Sequence, residues 1–409
     1  MSISTPRRSL WILAAGHFAL DSYNGYLAPL LPLLIAKHGM SVAVAASLAS
    51  VLSVSSSGLQ PLFGYLADRH RWRVFAWLSP FVTGFFISLL GVAPNYAALA
   101  TFLFLSGLGT AAFHPLAAAS AHAVAGERKG HGMSIFVTGG NVGHSLGPVI
   151  ILPVVMLIGL ERSWVMMLPA LVVSLLLYFW APDPKHEARI ATSGSLSDLR
   201  TRWLPLTLLW LLVTLRAVVI AGFSNFMPIL LRSHGTALFL AGSSITIFQL
   251  TGSAGSFLGG ALSDRIGRLK TLVLSFSLPV PLFLAFLAVR SDLRLVLIAL
   301  AGFAIFLSIP ANLVEAQNLF PRNLSTVSSL MIGLAWGTAG LLLTPLGVLA
   351  DRFGITAMLT GLSFATLFGV LLTGALWAAL RKDVGVPEAD VADPRFEPVG
   401  KATPARTTV

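Results

Sequence analysis

The chain contains no cysteine, which excludes disulfides, thiolate metal sites and cysteine nucleophiles. Charge is scarce too. Asp, Glu, Lys and Arg make up 11% of the 409 residues, where a soluble domain carries about 25%. Acids are the rarest, 16 against 27 Lys and Arg. With 56% hydrophobic residues and a mean hydropathy of +0.83, disorder, collagen-like and coiled-coil structure are ruled out and an ordinary soluble enzyme is disfavoured. A net charge of +11 would suggest nucleic acid on a soluble chain. On a chain this apolar it reads as basic loops facing a cytoplasm, with no nucleic-acid partner. A GxxxxGKS phosphate loop and the Ser-His-Asp and zinc-hydrolase signatures are also missing. No enzyme activity, metal or other cofactor is therefore expected, and any work must draw on an ion or substrate gradient.

What is present is a set of long gaps between ionisable residues. Residues 39–67, 74–126, 130–160, 163–182, 233–263, 271–289, 323–350 and 353–380 hold no Asp, Glu, Lys or Arg. About 20 apolar residues cross a bilayer core, and the turn at Gly91–Tyr96 halves the longest gap. The pattern predicts twelve helices near 10–36, 42–67, 73–92, 96–121, 133–159, 163–181, 204–231, 237–262, 271–289, 293–319, 326–350 and 355–380. The first apolar run continues past Ile35, too long for a signal-peptide core and without a small-residue cleavage site. It reads as the first span. With both termini inside, inner segments carry 20 Lys and Arg, outer loops carry 6, and Arg216 lies within a span. That bias fits an even number of spans, in an inner membrane with cytoplasmic termini.

The halves repeat. At an offset of 196, Pro32, His38-Gly39 and Asp68-Arg69 recur as Pro228, His234-Gly235 and Asp264-Arg265; Pro115 recurs as Pro310 at 195. The fold expected is all-α and membrane-integral, with two six-helix halves in parallel repeat and a substrate site between them near the midplane. The expected divisions are 1–181, a cytoplasmic linker 182–203, a second half 204–382 and a disordered polar tail 383–409.

Gly260-Ala-Leu-Ser-Asp264-Arg265-Ile-Gly267-Arg268 joins the eighth and ninth spans, and Gly64-Tyr-Leu-Ala-Asp68-Arg69 joins the second and third. Both resemble the GxLxDRxGR loop of the major facilitator superfamily, which implies a gating role. The first copy departs from it, with Arg71 where glycine is expected. Gly143-His-Ser-Leu-Gly147-Pro148 resembles the GxxxGP element of that superfamily's antiporter branch; small residues one turn apart also permit close helix packing. Further segments narrow the likeness: Gly16-His17-Phe18 through Asp21, Tyr23 and Gly25 to Pro32, Gln60-Pro61-Leu62-Phe63-Gly64, Gly107 to Pro115, and Gly139-Gly140-Asn141. Together these resemble the fosmidomycin resistance protein family of drug exporters. The resemblance implies proton-driven export through a cavity lined by the first, fourth, seventh and tenth helices. Many such antiporters carry an arginine four residues before a glycine like Gly107. Leu103 stands there in this chain, so another basic group must serve.

Ionisable groups deep in spans are costly and default to functional roles. Here they are Asp21, Arg216 and Glu315, joined by His17, His114, His122 and His144. His17 and Asp21 share a helical face. Asp21, His114 and Glu315 are candidates for proton coupling. His17, Tyr23, Asn24, Asn141, Arg216 and Asn312 are candidates for substrate contact. Asp21 and Arg216 lie at similar depth by the repeat, so an attraction across the cavity is expected. No histidine pair has metal-ligand spacing on one face. The reading is a monomeric proton-coupled carrier in a lipid bilayer, exporting a small anionic or zwitterionic molecule. A carrier of an endogenous organic anion, and a non-transporting membrane sensor of the same fold, are the alternatives.

Overall fold

The computed structural model describes residues 5–63, 74–124, 129–181, 196–320, 327 and 330–384. Among these every regular element is helical. Ten helices are long and apolar enough to cross a membrane. The broken helix Thr5–Asn24 and Leu27–His38, and helix Leu238–Ile266, stand at the places expected for the first and eighth spans, consistent with twelve. The polar tail from residue 385, the linker stretch 182–195 and the gating-loop residues Gly64, Asp68 and Arg69 lie outside the described residues. A short helix, Leu196–Thr201, precedes the seventh span.

Local chemistry sets the ends and breaks. The repeated His-Gly pairs are helix stops: Gly39 (φ 60°) and Gly235 (φ 81°) take the left-handed conformation that a glycine adopts without steric cost. The first span breaks at Gly25-Tyr26, just before Pro29, which offers no amide hydrogen to continue the ladder. Gly25 also lies against the fifth span. A methyl group on it would meet the His144 carbonyl at 2.7 Å and Gly147 Cα at 3.2 Å. The serine-rich stretch Val54–Gly58 of the second span is a π-turn; Ser55 there donates to the carbonyls of Val51 and Leu52.

The first six spans pack mainly with one another, as do the last six. The first span lies along the fifth, the third along the fourth and sixth, the seventh along the twelfth, and the eighth along the tenth. Across the halves, the second span meets the eleventh and the fifth meets the eighth. The join is polar in part. Ser50 donates to the Gly340 carbonyl at 2.7 Å and lies 2.8 Å from the Thr344 hydroxyl. At the arginine-poor face, Asp351 accepts from the amides of Val42 and Ala43, both at 2.8 Å. The start of the second span is thus capped by the other half. On the same face Lys37 bridges the Gly91 carbonyl and Glu161 within the first half.

Candidate functional site

Halfway along the first span, at the base of its unbroken segment, the polar residues converge. His17 and Asp21 are one turn apart, and His17 Nε2 lies 3.1 Å from Asp21 Oδ2. The fourth span brings His114 Nε2 to 3.3 Å from the other carboxylate oxygen. Asn24 Nδ2 donates to that same Oδ1 at 3.2 Å, and Thr110 donates to Asn24 Oδ1 at 3.0 Å. The far sides of both imidazoles are engaged too. His17 Nδ1 lies 2.9 Å from the carbonyl of Phe136 on the fifth span, and its ring stacks on Phe136. His114 Nδ1 lies 3.1 Å from Gln60 Nε2, which also donates to the Ser56 carbonyl at 3.0 Å. The cluster is enclosed but not sealed, with the Asp21 side chain 17% exposed.

The fifth span makes this closeness possible. Gly139, Gly143 and Gly147 lie against the backbone of Ala14, Phe18 and Ser22, four residues apart on the first span. Gly140 lies against His17 Nε2 and Asp21 Oδ2 themselves. Small residues let two helix backbones meet where side chains would hold them apart. Pro148 is buried inside this helix.

Residues 13–343 match the sequence profile of the Major Facilitator Superfamily. The chain belongs to the major facilitator superfamily. Among curated proteins it is 28% identical over 384 residues to the fosmidomycin resistance protein of Escherichia coli (strain K12), covering 90% of this chain and 94% of that one. It is 28% identical over 381 residues to the uncharacterized MFS-type transporter YfnC of Bacillus subtilis (strain 168), covering 88% and 91%. Among solved structures, a bacterial homolog of the human lysosomal transporter Spinster superposes with a TM-score of 0.74 at 16% identity, covering 94% of this chain and 99% of that one. The nucleoside transporter NupG gives 0.74 at 14% identity, covering 91% and 98%. Members of this superfamily are transporters rather than enzymes, and the chain is a multi-pass membrane transporter.

The second copy of the repeated Gly-x-Leu-x-Asp-Arg loop lies among the described residues. Gly267 turns the chain with φ 92°. Arg268 then reaches back to the tenth span and donates to Glu315 Oε2 at 2.8 Å. Gly260 faces Pro310 on that span, while Asp264 and Arg265 are exposed. Glu315 therefore stands apart from the Asp21 cluster, engaged by the loop.

The expected attraction between Asp21 and Arg216 is absent. Asp21 is held by His17, His114 and Asn24, whereas Arg216 Nη1 donates to Ser308 at 3.0 Å. Ser308 is bonded in turn to Ser275 of the ninth span, so the guanidinium points into the second half's own interior. Arg216 is 3% exposed, its Nε is without a partner, and no carboxylate among the described residues pairs with it. Asn312, one turn past Ser308, is fully buried with both amide atoms unpartnered. Tyr23 lies elsewhere, donating to the Met166 carbonyl at 2.6 Å inside the first half. Asn141 is exposed on the fifth span.

Spacing along one helix gave no reason to group the histidines. The fold nevertheless brings His17, Asp21 and His114 together with ligand-capable atoms within 4.8 Å of one another. The facing atoms of this trio contact one another, His17 Nε2 with Asp21 Oδ2 and His114 Nε2 with Asp21 Oδ1. Two participants had no assigned role from sequence. Gln60 was legible as the lone amide in a charge-free span, while the Phe136 carbonyl leaves no sequence signal.

Proposed function

We propose that this transporter couples proton entry to the export of a small anionic or zwitterionic molecule, working as a monomer in an inner membrane with its arginine-rich face in the cytoplasm. One observation carries the reading: a carboxylate halfway along the first span is held between two imidazoles from two helices. Such groups are expensive in a membrane interior and mark ion pathways. Histidine is the side chain whose ordinary titration falls near physiological pH. Asp21 contacts the first and fourth helices together, so a change in its charge acts on how those helices pack.

The charge of the cargo is supported by Arg216. It is a guanidinium in the span interior that, among the described residues, donates only to neutral Ser308. A fork of this kind binds carboxylate or phosphonate in a bidentate manner. Export is supported by the relative named a fosmidomycin resistance protein, which aligns with 90% of the chain. A carrier of an endogenous organic anion is favoured by another relative. The probable 4-methylmuconolactone transporter of Cupriavidus pinatubonensis aligns with 98% of the chain at 28% identity.

Proteoliposomes with an imposed pH gradient test the reading, using fosmidomycin as the probe. Asp21→Asn is expected to abolish uphill movement while retaining downhill exchange. Arg216→Lys is expected to weaken anion transport at least tenfold, because the charge remains and the fork is lost. Full uphill export by Asp21→Asn would refute the coupling.

A further inference from the structure

The hydrogen-bond partners in the cluster fix where its protons lie. The carbonyl of Phe136 only accepts, so His17 Nδ1 carries a hydrogen. The other ring nitrogen of His17 faces Asp21 Oδ2 at 3.1 Å, and a carboxylate oxygen also only accepts. A neutral His17 beside an ionised Asp21 would set two lone pairs against each other. One further proton must therefore sit in that contact, on Nε2 or on Oδ2. His114 is different. Gln60 Nε2 is a donor, and its second hydrogen goes to the Ser56 carbonyl, so the amide is oriented and His114 Nδ1 accepts from it. The single hydrogen of a neutral His114 then lies on Nε2, aimed at Asp21 Oδ1. His114 is satisfied with no extra proton.

Resting on the proton-coupled reading, we propose that the exchangeable proton is shared between His17 and Asp21. His114 is a positioning residue, held neutral by Gln60. This reverses the roles that sequence suggests for the two histidines. It also gives the cluster a capacity of one proton. When that proton leaves, His17 Nε2 and Asp21 Oδ2 must separate, while His114 and Asn24 keep hold of Oδ1. Because His17 is tied to the fifth span and His114 to the fourth, deprotonation acts selectively on the contact between the first and fifth spans. The groups facing the pair are few. His114 comes from the fourth span, Gln60 from the second, and Gly140 and His144 from the fifth. Among the described residues, Val74–Ser88 and Met167–Trp180, also packed on the first span, contain no acid, lysine, arginine or histidine.

The test reads the protons directly and needs no substrate. Protein labelled with 15N-histidine is reconstituted in lipid, and its ring-nitrogen spectra are followed from pH 5 to 9. His17→Gln and His114→Gln each remove one set of signals and so assign them; a melting curve of each variant reports folding. The expected His114 signal is neutral, with hydrogen on Nε2, across the range. The expected His17 signal keeps Nδ1–H throughout and changes at Nε2 as the shared proton leaves. Gln60→Met in otherwise intact protein gives an independent arm: freed of its donor, His114 is expected to gain a second proton at low pH. Imidazolium at His114 while Gln60 is in place would overturn the assignment, as would two protons taken up by the cluster together. Failure of coupling itself is distinguished by Asp21→Asn, which would then export uphill whatever the spectra show.

Discussion

Asp351→Ala should loosen the closure of the arginine-poor face. The first four amides of a helix have no partner within it. At the start of the second span, Ser41 covers Val44 through its side chain, and its carbonyl accepts from Ala45. Among the described residues the amides of Val42 and Ala43 are covered only by Asp351 from the other half, each at 2.8 Å. Losing a capping side chain costs about 1 kcal/mol, and losing a negative charge at a helix start costs roughly 0.3–1 kcal/mol. Asp351 is exposed, so water replaces part of both contributions. About 1 kcal/mol is left favouring the closed face, a shift of roughly 5-fold in the ratio of closed to open states at ~1.4 kcal/mol per decade. The absence of cysteine makes the measurement clean. Spin labels at Val92→Cys and Arg290→Cys, exposed positions one on each half, report the width of that mouth by double electron–electron resonance. Asp351→Ala should enrich the longer distances, and Asp351→Asn should do so less because an acceptor remains. Identical distance distributions for wild type and Asp351→Ala would refute the reasoning.

The other predictions concern the cluster and the opposite half. Gly140→Ala places a methyl group against His17 Nε2 and Asp21 Oδ2, so it should abolish uphill transport while leaving the helix intact, as a flux assay paired with a melting curve would show. Glu315→Gln removes the charge that Arg268 reaches for, and should alter transport rate while leaving the 15N spectra of His17 and His114 unchanged. His234, in the turn after the seventh span, is held below the ordinary histidine value by burial, with Arg290 and Arg294 opposing its charge. Its neutral form is the one the fold favours. That contribution is present above about pH 6.5 and is lost as pH falls, so the melting temperature should drop more between pH 7.5 and 5.5 in wild type than in His234→Gln.

Much of this protein was determined along the chain itself. A bilayer has no water to satisfy a backbone, so each apolar gap must be a helix. The gaps therefore outlined nine of the spans, and the first, seventh and tenth stood out as apolar runs broken only by Asp21, Arg216, and Arg294 with Glu315. The loop chemistry was equally local: His38-Gly39 and His234-Gly235 end helices because only the glycine takes the left-handed conformation cheaply. The identity of the deep ionisable groups was legible too, since any charge amid such apolarity stands out. Their partners were not. His17 and Asp21 are one turn apart, but the contact with His114 spans 93 residues and the one with Phe136 spans 119. Depth by repeat alignment paired Asp21 with Arg216, yet depth says nothing about which way a side chain turns. Arg216 turns toward Ser308, inside its own half. The tautomers, and with them the division of labour between the two histidines, depend on a carbonyl and an amide from two other helices. Only the packing of the first span on its neighbours decides that.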